Sequence, residues 1–221
     1  MQRQVIAVAA PIGGGKSALV DALAAALGDP AVGPAPTLRF DDYEHATRQS
    51  VEQLSQWLDS GADVNQLEAP GLADDLLAWC EGRPIAARGA ALTPAQVRTG
   101  IETHPVVPGN SPLVFEMPLG RAWSPTARHI DVLVWVDTPL DIALARRLRE
   151  ISADVLQGDP ADARRGLGWI HGYLDHYIGT IHAVLQAQRN AVRPGADLVL
   201  DGMAGIDSLV DQVMQHLGQA E

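Results

Sequence analysis

The chain has 221 residues, with 27 acidic and 16 basic side chains and a formal net charge of −11 at pH 7. Such an acidic chain is not expected to bind nucleic acid or an anionic membrane as its main function, because both need basic surfaces. The length fits one α/β domain, and a hydrophobic content of 47% is ample for its core. The single cysteine, Cys80, excludes an intrachain disulfide, and no apolar run approaches the roughly 20 residues of a membrane span. We expect a cytoplasmic protein and predict no particular oligomeric state.

A glycine-rich loop joins the first predicted strand to the first predicted helix. The strand is the apolar run Val5–Ala9, and the helix is expected over residues 17–27, ending at Gly28. Between them, Gly13–Ser17 matches the end of the pattern G-x-x-x-x-G-K-[ST], while Ala10 replaces the first glycine of that pattern. Because a strand precedes the loop and a helix follows it, we favour a phosphate-binding loop over a merely flexible one.

This loop predicts a site for the phosphates of a nucleotide. Glycines let backbone N–H groups turn toward phosphate oxygens, and the helix N-terminus adds further donors and partial positive charge. Lys16 is expected to reach the β- and γ-phosphates, and the Ser17 hydroxyl is expected to bind Mg²⁺. The residues predicted to contact the nucleotide here are Gly13, Gly14, Gly15, Lys16, Ser17 and Ala18.

Four further apolar runs predict strands that alternate with helices. They are Thr37–Phe40, Leu113–Phe115, Val132–Val136 and the weaker Leu198–Leu200. This alternation indicates βαβ units, and hence an α/β fold whose mainly parallel, five-stranded sheet is covered on both faces. One domain is expected to span residues 1–221.

Helix and loop boundaries follow from capping residues and breakers. A helix is expected to begin with Thr138 as its cap and to run through Arg149, and Thr93–Gln96 has the form of a capping box. An apolar spacing of three and four residues predicts a helix over 206–217. Loops are expected over residues 28–35, 81–90 and 106–112.

Acidic residues follow three of the predicted strands. Asp41 and Asp42 come after the second strand, Glu116 after the third and Asp137 after the fourth. Because the carboxyl ends of parallel strands share one edge of a sheet, these acids are expected near the phosphate-binding loop. Asp41 or Asp42 is expected to be the base for an acceptor hydroxyl, with Asp42 alternatively a turn residue, and Glu116 is expected to face Mg²⁺ through water. For Asp137 we favour an interaction with the N-terminus of the following helix.

The densest basic cluster is Arg146, Arg147 and Arg149, and Arg164 and Arg165 follow it. As a group, these side chains suit a lid that neutralises the charge of a transferred phosphoryl group, although a solvated helix end is the alternative. We assign Arg146 to nucleotide binding and Arg147 to catalysis.

The assembled residues resemble the uridine kinase and phosphoribulokinase-like branch of the P-loop kinases over nearly the whole chain. Phe40–Tyr43 is similar to that family's D-x-[FY]-Y segment, whose first aspartate is the base for the acceptor hydroxyl, and this selects Asp41. Glu116 resembles the acid that ends a family strand, and residues 136–150 resemble the strand and arginine-rich helix that lead into the lid. Residues 193–200 are similar to the terminal strand near the adenine pocket.

The resemblance implies a P-loop NTPase fold of three layers, α/β/α, with a small lid at about residues 146–168 and a substrate-side helical segment at about 43–104. It also implies ATP and Mg²⁺ as cofactors and a small hydroxyl compound as acceptor. The catalytic residues that it suggests are Asp41, Lys16 and Arg147, and the metal ligands are Ser17 and Glu116.

The segment expected to contact the acceptor departs from the family pattern. Asn65–Leu72 replaces an NFDHPDAF-type sequence, the family's Tyr-Asp element after Pro84 is missing, and Met117 stands where a glycine would follow the acid. The resemblance therefore implies a small-molecule kinase and leaves the acceptor open. The alternatives are a nucleotide-binding regulatory protein without transfer activity and a deoxynucleoside kinase-like enzyme. The latter ranks lower because its E/D-R-S signature is not found after a strand.

Overall fold

A computed structural model describes residues 4–43, 50–86, 105–106, 112–157 and 163–219. The strands are β1 (Val5–Ala9), β2 (Thr37–Arg39), β3 (Ile85–Ala86), β4 (Pro105–Val106), β5 (Leu113–Glu116), β6 (Val132–Asp137) and β7 (Leu198–Asp201). The helices are α1 (Lys16–Ala26), α2 (Val51–Asp59), α3 (Leu72–Cys80), α4 (Ser124–Ala127), α5 (Leu140–Gln157), α6 (Ala163–His176), α7 (His182–Val192) and α8 (Ile206–Gln219).

The five predicted strands form one parallel sheet in the order β2-β5-β1-β6-β7. The α/β fold with a five-stranded parallel sheet is thereby confirmed. β1 lies in the centre, with Val8 beside Glu116 of β5 and Ala9 beside Trp135 of β6. All five strands therefore end at the same edge, which is where ligands bind in open parallel sheets.

The sheet's side chains alternate between two hydrophobic cores, one on each face. In β1, the odd-numbered residues of Val5–Ala9 belong to the core that contains Leu72 and Trp79 of α3. The even-numbered residues belong to the core that contains Leu19 and Leu23 of α1. Because helices cover both faces, β1 and residues 132–136 of β6 read as uninterrupted apolar runs rather than alternating ones.

Helix α5 extends beyond its predicted end at Arg149. It has 18 residues and continues to Gln157, because residues 150–157 contain neither glycine nor proline and form a helix readily. In the described part of the chain, no helix is both long and apolar enough to cross a membrane.

A small antiparallel pair, β3 with β4, lies in the predicted loop 81–90 and at the start of the predicted loop 106–112, with Pro105 just before it. Ile85 pairs with Val106, and Ala86 pairs with Pro105. Strands of two residues are too short to give a periodic signal, so the sequence predicted only loops there. The predicted capping box at Thr93–Gln96 lies outside the described residues.

Helices α6 and α7 are joined by a π-helical turn, Tyr177–Ile181. The Tyr177 side chain is buried beside Leu185, and its hydroxyl donates a hydrogen bond of 3.1 Å to the carbonyl oxygen of Leu140. This buried bond fixes the α6–α7 pair against the start of α5, the helix that carries the predicted arginine cluster.

Candidate active site

The loop between β1 and α1 has backbone geometry that glycine adopts most easily. Gly13 has a φ of 73° and Gly15 a φ of 93°, both in the left-handed region. The Gly14 N–H donates to the Pro11 carbonyl oxygen at 2.9 Å, which closes a tight turn. Gly15 is the N-cap of α1, so the free amides of the helix, which begins at Lys16, lie at this loop. The observed geometry is that of an anion-binding loop.

Thr138 and helix α5 hold this loop in place. The Thr138 hydroxyl donates a buried hydrogen bond of 2.8 Å to the Gly14 carbonyl oxygen. The prediction that Thr138 caps the next helix is wrong, because α5 begins only at Leu140 and this hydroxyl serves the loop instead. A Cβ on Gly13 would overlap the carbonyl oxygen of Ala143 in α5, so glycine is also needed there for close packing.

Ala10 occupies the first position of the loop motif without strain. Among the described residues other than glycine, only Ala62 has a positive φ, so Ala10 needs no left-handed conformation. Its side chain is fully buried in the core beneath α1. The Gln188 amide donates from Nε2 to the Ala10 carbonyl oxygen at 3.2 Å. A methyl group therefore fits at this position of the loop.

Glu116 lies at the end of β5, and only 2% of its side chain is exposed. Its Oε1 accepts a hydrogen bond of 2.9 Å from the Ser17 hydroxyl and lies 3.3 Å from Nζ of Lys16. Its Oε2 accepts a hydrogen bond of 2.9 Å from Nη1 of Arg39. The structure thus brings the predicted metal ligands Ser17 and Glu116 into contact.

This pair has the chemistry that Mg²⁺ requires. A hydroxyl and a carboxylate are hard oxygen ligands, and Mg²⁺ in phosphate sites typically uses one or two carboxylates, the substrate phosphates and water. Across the described ranges, no group of three or more His, Cys, Asp or Glu side chains is placed to hold a metal ion. The contacting Ser17 hydroxyl and Glu116 carboxylate fit a Mg²⁺ ion whose other ligands would be phosphate oxygens and water.

A cavity of about 490 Å³ lies at the loop and gathers most of the predicted site. Its lining includes every residue predicted to contact the nucleotide and all three predicted catalytic residues, Asp41, Lys16 and Arg147. The lining residues are Ile12, Gly13, Gly14, Gly15, Lys16, Ser17, Ala18, Asp41, Arg146, Arg147, Arg149, Glu150, Gly202, Ala204, Ile206 and Leu209.

The two aspartates after β2 lie differently with respect to this cavity. They belong to a 3₁₀ turn, Phe40–Asp42, that follows directly on Arg39. Asp41 is exposed and lines the cavity, whereas Asp42 is half-buried and is not among the described residues that line it. Asp41 can therefore contact a ligand held in this cavity, whereas the described lining gives Asp42 no such contact.

The arginines of α5 contribute positive charge to the same cavity. Arg146 donates from Nη2 to the Gly202 carbonyl oxygen at 3.0 Å, which links α5 to the loop after β7. Arg147 donates from Nη1 to Oε2 of Glu150 at 3.2 Å, an exposed pair one helical turn apart. Arg149 also lines the cavity. These side chains lie where they can face an anionic ligand.

Comparison with solved structures identifies proteins of similar architecture. No protein-family profile and no curated protein sequence matches the chain. A "putative fructose transport system kinase" from Silicibacter sp. is 20% identical, with a TM-score of 0.58 over 90% of this chain and 89% of its own. A "possible uridine kinase" from Bacillus stearothermophilus is 14% identical, with a TM-score of 0.55 over 91% of this chain and 90% of its own. The chain has the P-loop kinase fold. The fold predicted from the sequence resemblance is thus confirmed.

Within this P-loop kinase fold, one wall of the cavity was missed by the sequence reasoning. It comes from the turn between β7 and α8, where Gly202, Ala204 and Ile206 line the cavity next to Arg146, which donates to the Gly202 carbonyl oxygen. A Cβ on Gly202 would overlap the hydroxyl of Thr138, so the turn approaches Thr138 too closely for any residue larger than glycine. The available signal was the stretch Gly202-Met203-Ala204-Gly205, with two glycines, directly after the last strand.

Two predicted features lie away from the cavity. Among the described residues that line it, none comes from 65–72, and neither Arg164 nor Arg165 of α6 is included. The segment 65–72 instead makes structural contacts: Asn65 accepts a hydrogen bond from the Ser124 N–H at 2.7 Å, at the start of α4. The residues that were expected to mark the acceptor therefore support a neighbouring helix.

Asp137, at the end of β6, does not bind the N-terminus of α5 as we favoured. Its carboxylate accepts hydrogen bonds from the Trp135 indole at 3.1 Å, from Arg189 at 3.0 Å and from Arg193 at 3.1 Å. Burial raises the pKa of this carboxyl, but the hydrogen bonds from Trp135 and Arg193 and the two positive charges outweigh it and hold the pKa below 3.8. Asp137 thus ties the end of α7 to the sheet.

Replacing Asp137 by asparagine is expected to lower the free energy of unfolding by about 1–2 kcal/mol at neutral pH, because two half-exposed arginines lose their counter-charge. The pKa of Asp137 is lower in the folded protein than the ordinary aspartate value of 3.8. The stabilisation is therefore fully present at a pH above that ordinary value, and it is lost as the pH falls through the lower pKa of the folded state. Urea unfolding of both proteins at neutral and acid pH measures this. A difference that stays constant on acidification would show that charge is not the cause.

Proposed function

We propose that the protein is a kinase that uses ATP and Mg²⁺ to phosphorylate a hydroxyl group of a small molecule. The observation that carries this proposal is a single cavity shared by the phosphate-binding loop, Asp41 and the arginines of α5. Phosphoryl transfer needs mainly positioning and charge stabilisation, together with a group that orients or deprotonates the attacking hydroxyl. A nucleotide-binding site alone would need no exposed carboxylate beside the loop.

Each group of residues has a distinct proposed role. The amides of Gly13–Ser17 and the Lys16 ammonium bind the β- and γ-phosphates. Ser17 and Glu116 hold Mg²⁺, which when bound neutralises charge on the phosphate oxygens. Arg147 stabilises the transferred group, and Asp41 accepts the proton of the acceptor hydroxyl.

The base of the nucleotide is proposed to lie on the wall formed by Gly202, Ala204 and Ile206, with Arg146 beside it. This wall includes the side chains of Ala204 and Ile206, and the hydrogen bond from Arg146 to Gly202 joins it to α5. Residues 146–168 are proposed to act as a lid over the bound nucleotide, because α5 already contributes three arginines to the cavity.

A sugar or nucleoside is the proposed class of acceptor. The fold neighbours named above carry the words fructose transport and uridine in their names, and both compounds present several hydroxyl groups. Asp41 is exposed, so an acceptor can approach it from solvent.

Incubating the protein with ATP, Mg²⁺ and a panel of sugars, nucleosides and vitamin-like alcohols tests this function. We expect one acceptor class to stimulate ADP release and to yield a phosphorylated product detectable by mass spectrometry. The second candidate, a nucleotide-binding regulatory protein, is favoured by the structural use of Asn65 in the altered segment. It would bind ATP with Mg²⁺ and phosphorylate none of the panel.

A further inference from the structure

The carboxylate of Glu116 is buried between two cations that approach it from different elements. Lys16 of α1 lies on Oε1 and Arg39 of β2 lies on Oε2. A carboxylate that is 2% exposed needs at least one partner of opposite charge, because an unpaired buried charge is strongly destabilising. Here two cations share that task.

The two cations differ in what else they can bind. Lys16 lines the cavity, and the bound phosphates of a nucleotide would compete with Glu116 for its ammonium group. Arg39 is not among the described residues that line the cavity. Its second nitrogen, Nη2, is held by Oδ1 of Asp21 in α1 at 2.5 Å. Arg39 therefore lies between two carboxylates, those of Glu116 and Asp21.

We propose that Arg39 is the permanent counter-charge of Glu116 and thereby frees Lys16 to bind phosphate. When a nucleotide draws Lys16 away, the buried carboxylate stays paired with Arg39. Without Arg39, Lys16 would be the last cation on Glu116, and moving it to the phosphates would leave a buried charge unpaired. Arg39 is thus a positioning residue that acts through Lys16. The inference rests on the proposed nucleotide site.

Mg²⁺ changes this balance, because a cation bound beside Ser17 would itself compensate Glu116. Loss of Arg39 should therefore weaken nucleotide binding strongly when no metal is present and only slightly when Mg²⁺ is saturating. A general loss of positive charge near the phosphates would weaken binding under both conditions. The difference between the two conditions separates the two explanations.

The experiment measures ADP affinity by calorimetry in EDTA and in saturating Mg²⁺. For Arg39→Met we expect a loss of about tenfold in EDTA and of at most about twofold with Mg²⁺. Arg39→Lys keeps the charge and should lose less. Asp21→Asn removes only the charge of the other partner of Arg39, a side chain that is 68% exposed. Its ADP affinity should stay within about twofold of wild type in both conditions.

A double-mutant cycle guards against misfolding or simple charge effects. Glu116→Gln removes the buried charge, so it should restore ADP affinity in the Arg39→Met background more than it raises affinity in wild type. Lys16 is the only lysine in the sequence, so carbon-13 labelling of lysine gives one side-chain NMR signal from the site. At an ADP concentration equal to the wild-type Kd in EDTA, that signal should move about halfway to its bound position in wild type and only about a tenth of the way in Arg39→Met, as a tenfold loss of affinity requires.

Two results would overturn the inference while leaving the proposed function intact. One is an equal loss of ADP affinity with and without Mg²⁺ in Arg39→Met, and the other is strictly additive behaviour of Arg39→Met and Glu116→Gln. If wild-type protein bound no ADP, the proposed function and this inference would both fail. If it bound ADP but phosphorylated no acceptor, only the proposed transfer activity would fail.

Discussion

Replacing Lys16 by alanine is expected to reduce phosphoryl transfer by about 10³-fold. Lys16 is the only lysine in the sequence, and its side chain lines the cavity. Its Nζ lies 3.3 Å from Oε1 of Glu116. A positive charge that is already in place stabilises developing negative charge without reorganisation, so its removal raises the barrier for transfer. The measurement is kcat/KM for the best acceptor, from coupled ADP release.

The fold should survive this change, which makes the prediction specific to function. Glu116 keeps Arg39 as a partner after Lys16 is lost, so the buried carboxylate is not left unpaired. Lys16→Arg serves as the matched control, because it keeps the charge but changes the shape of the donor group. We expect it to retain nucleotide binding better than alanine does. Turnover by Lys16→Ala within threefold of wild type would rule out the phosphate-binding assignment of this loop.

Asp41→Asn is expected to lower kcat by roughly 10²–10⁴-fold, the usual contribution of a general base. The amide keeps the size of the side chain and removes its ability to accept the proton of the acceptor hydroxyl. The KM for ATP should change little, because Asp41 lies on a separate turn after β2 rather than in the phosphate loop. Steady-state kinetics with varied ATP and varied acceptor separate the two effects.

The neighbouring aspartate provides the control for this experiment. Asp42 occupies the same 3₁₀ turn but is not among the described residues that line the cavity. We expect Asp42→Asn to keep most of the activity, compared at equal amounts of folded protein. If Asp42→Asn lost as much activity as Asp41→Asn, or if Asp41→Asn were fully active, Asp41 would not be the base.

The features that could be predicted from the sequence are those written within a few consecutive residues. The run Val5–Ala9, the glycines of the loop and the start of α1 are adjacent in the chain, and each imposes its own local geometry. The acids Asp41 and Glu116 could also be placed, because an α/β pattern already requires parallel strands to end at one edge. Their roles remain predictions.

Side-chain partners that are distant in sequence could not be predicted. Asp137 was expected to interact with the next helix, but its partners Arg189 and Arg193 lie more than fifty residues away along the chain. Thr138 had the sequence of a cap, yet it donates to Gly14 because the central position of β1 brings the loop beside β6. From the sequence, each of these polar side chains had several possible hydrogen-bond partners. The packing of the helices against the sheet decides which partner is close enough to bond.

The sequence by itself determined the fold class, the phosphate-binding loop and the set of strand-end acids, since local backbone preference and hydrophobic periodicity decide these. Only the tertiary structure decided the strand order, the wall formed after β7, and the pairing of Glu116 with Arg39 across 77 residues. The physical reason is that burial sets the value of a charge or hydrogen bond, and burial depends on which elements pack together. For this protein, that packing is what turns an isolated loop motif into a charged cavity with a carboxylate at its edge.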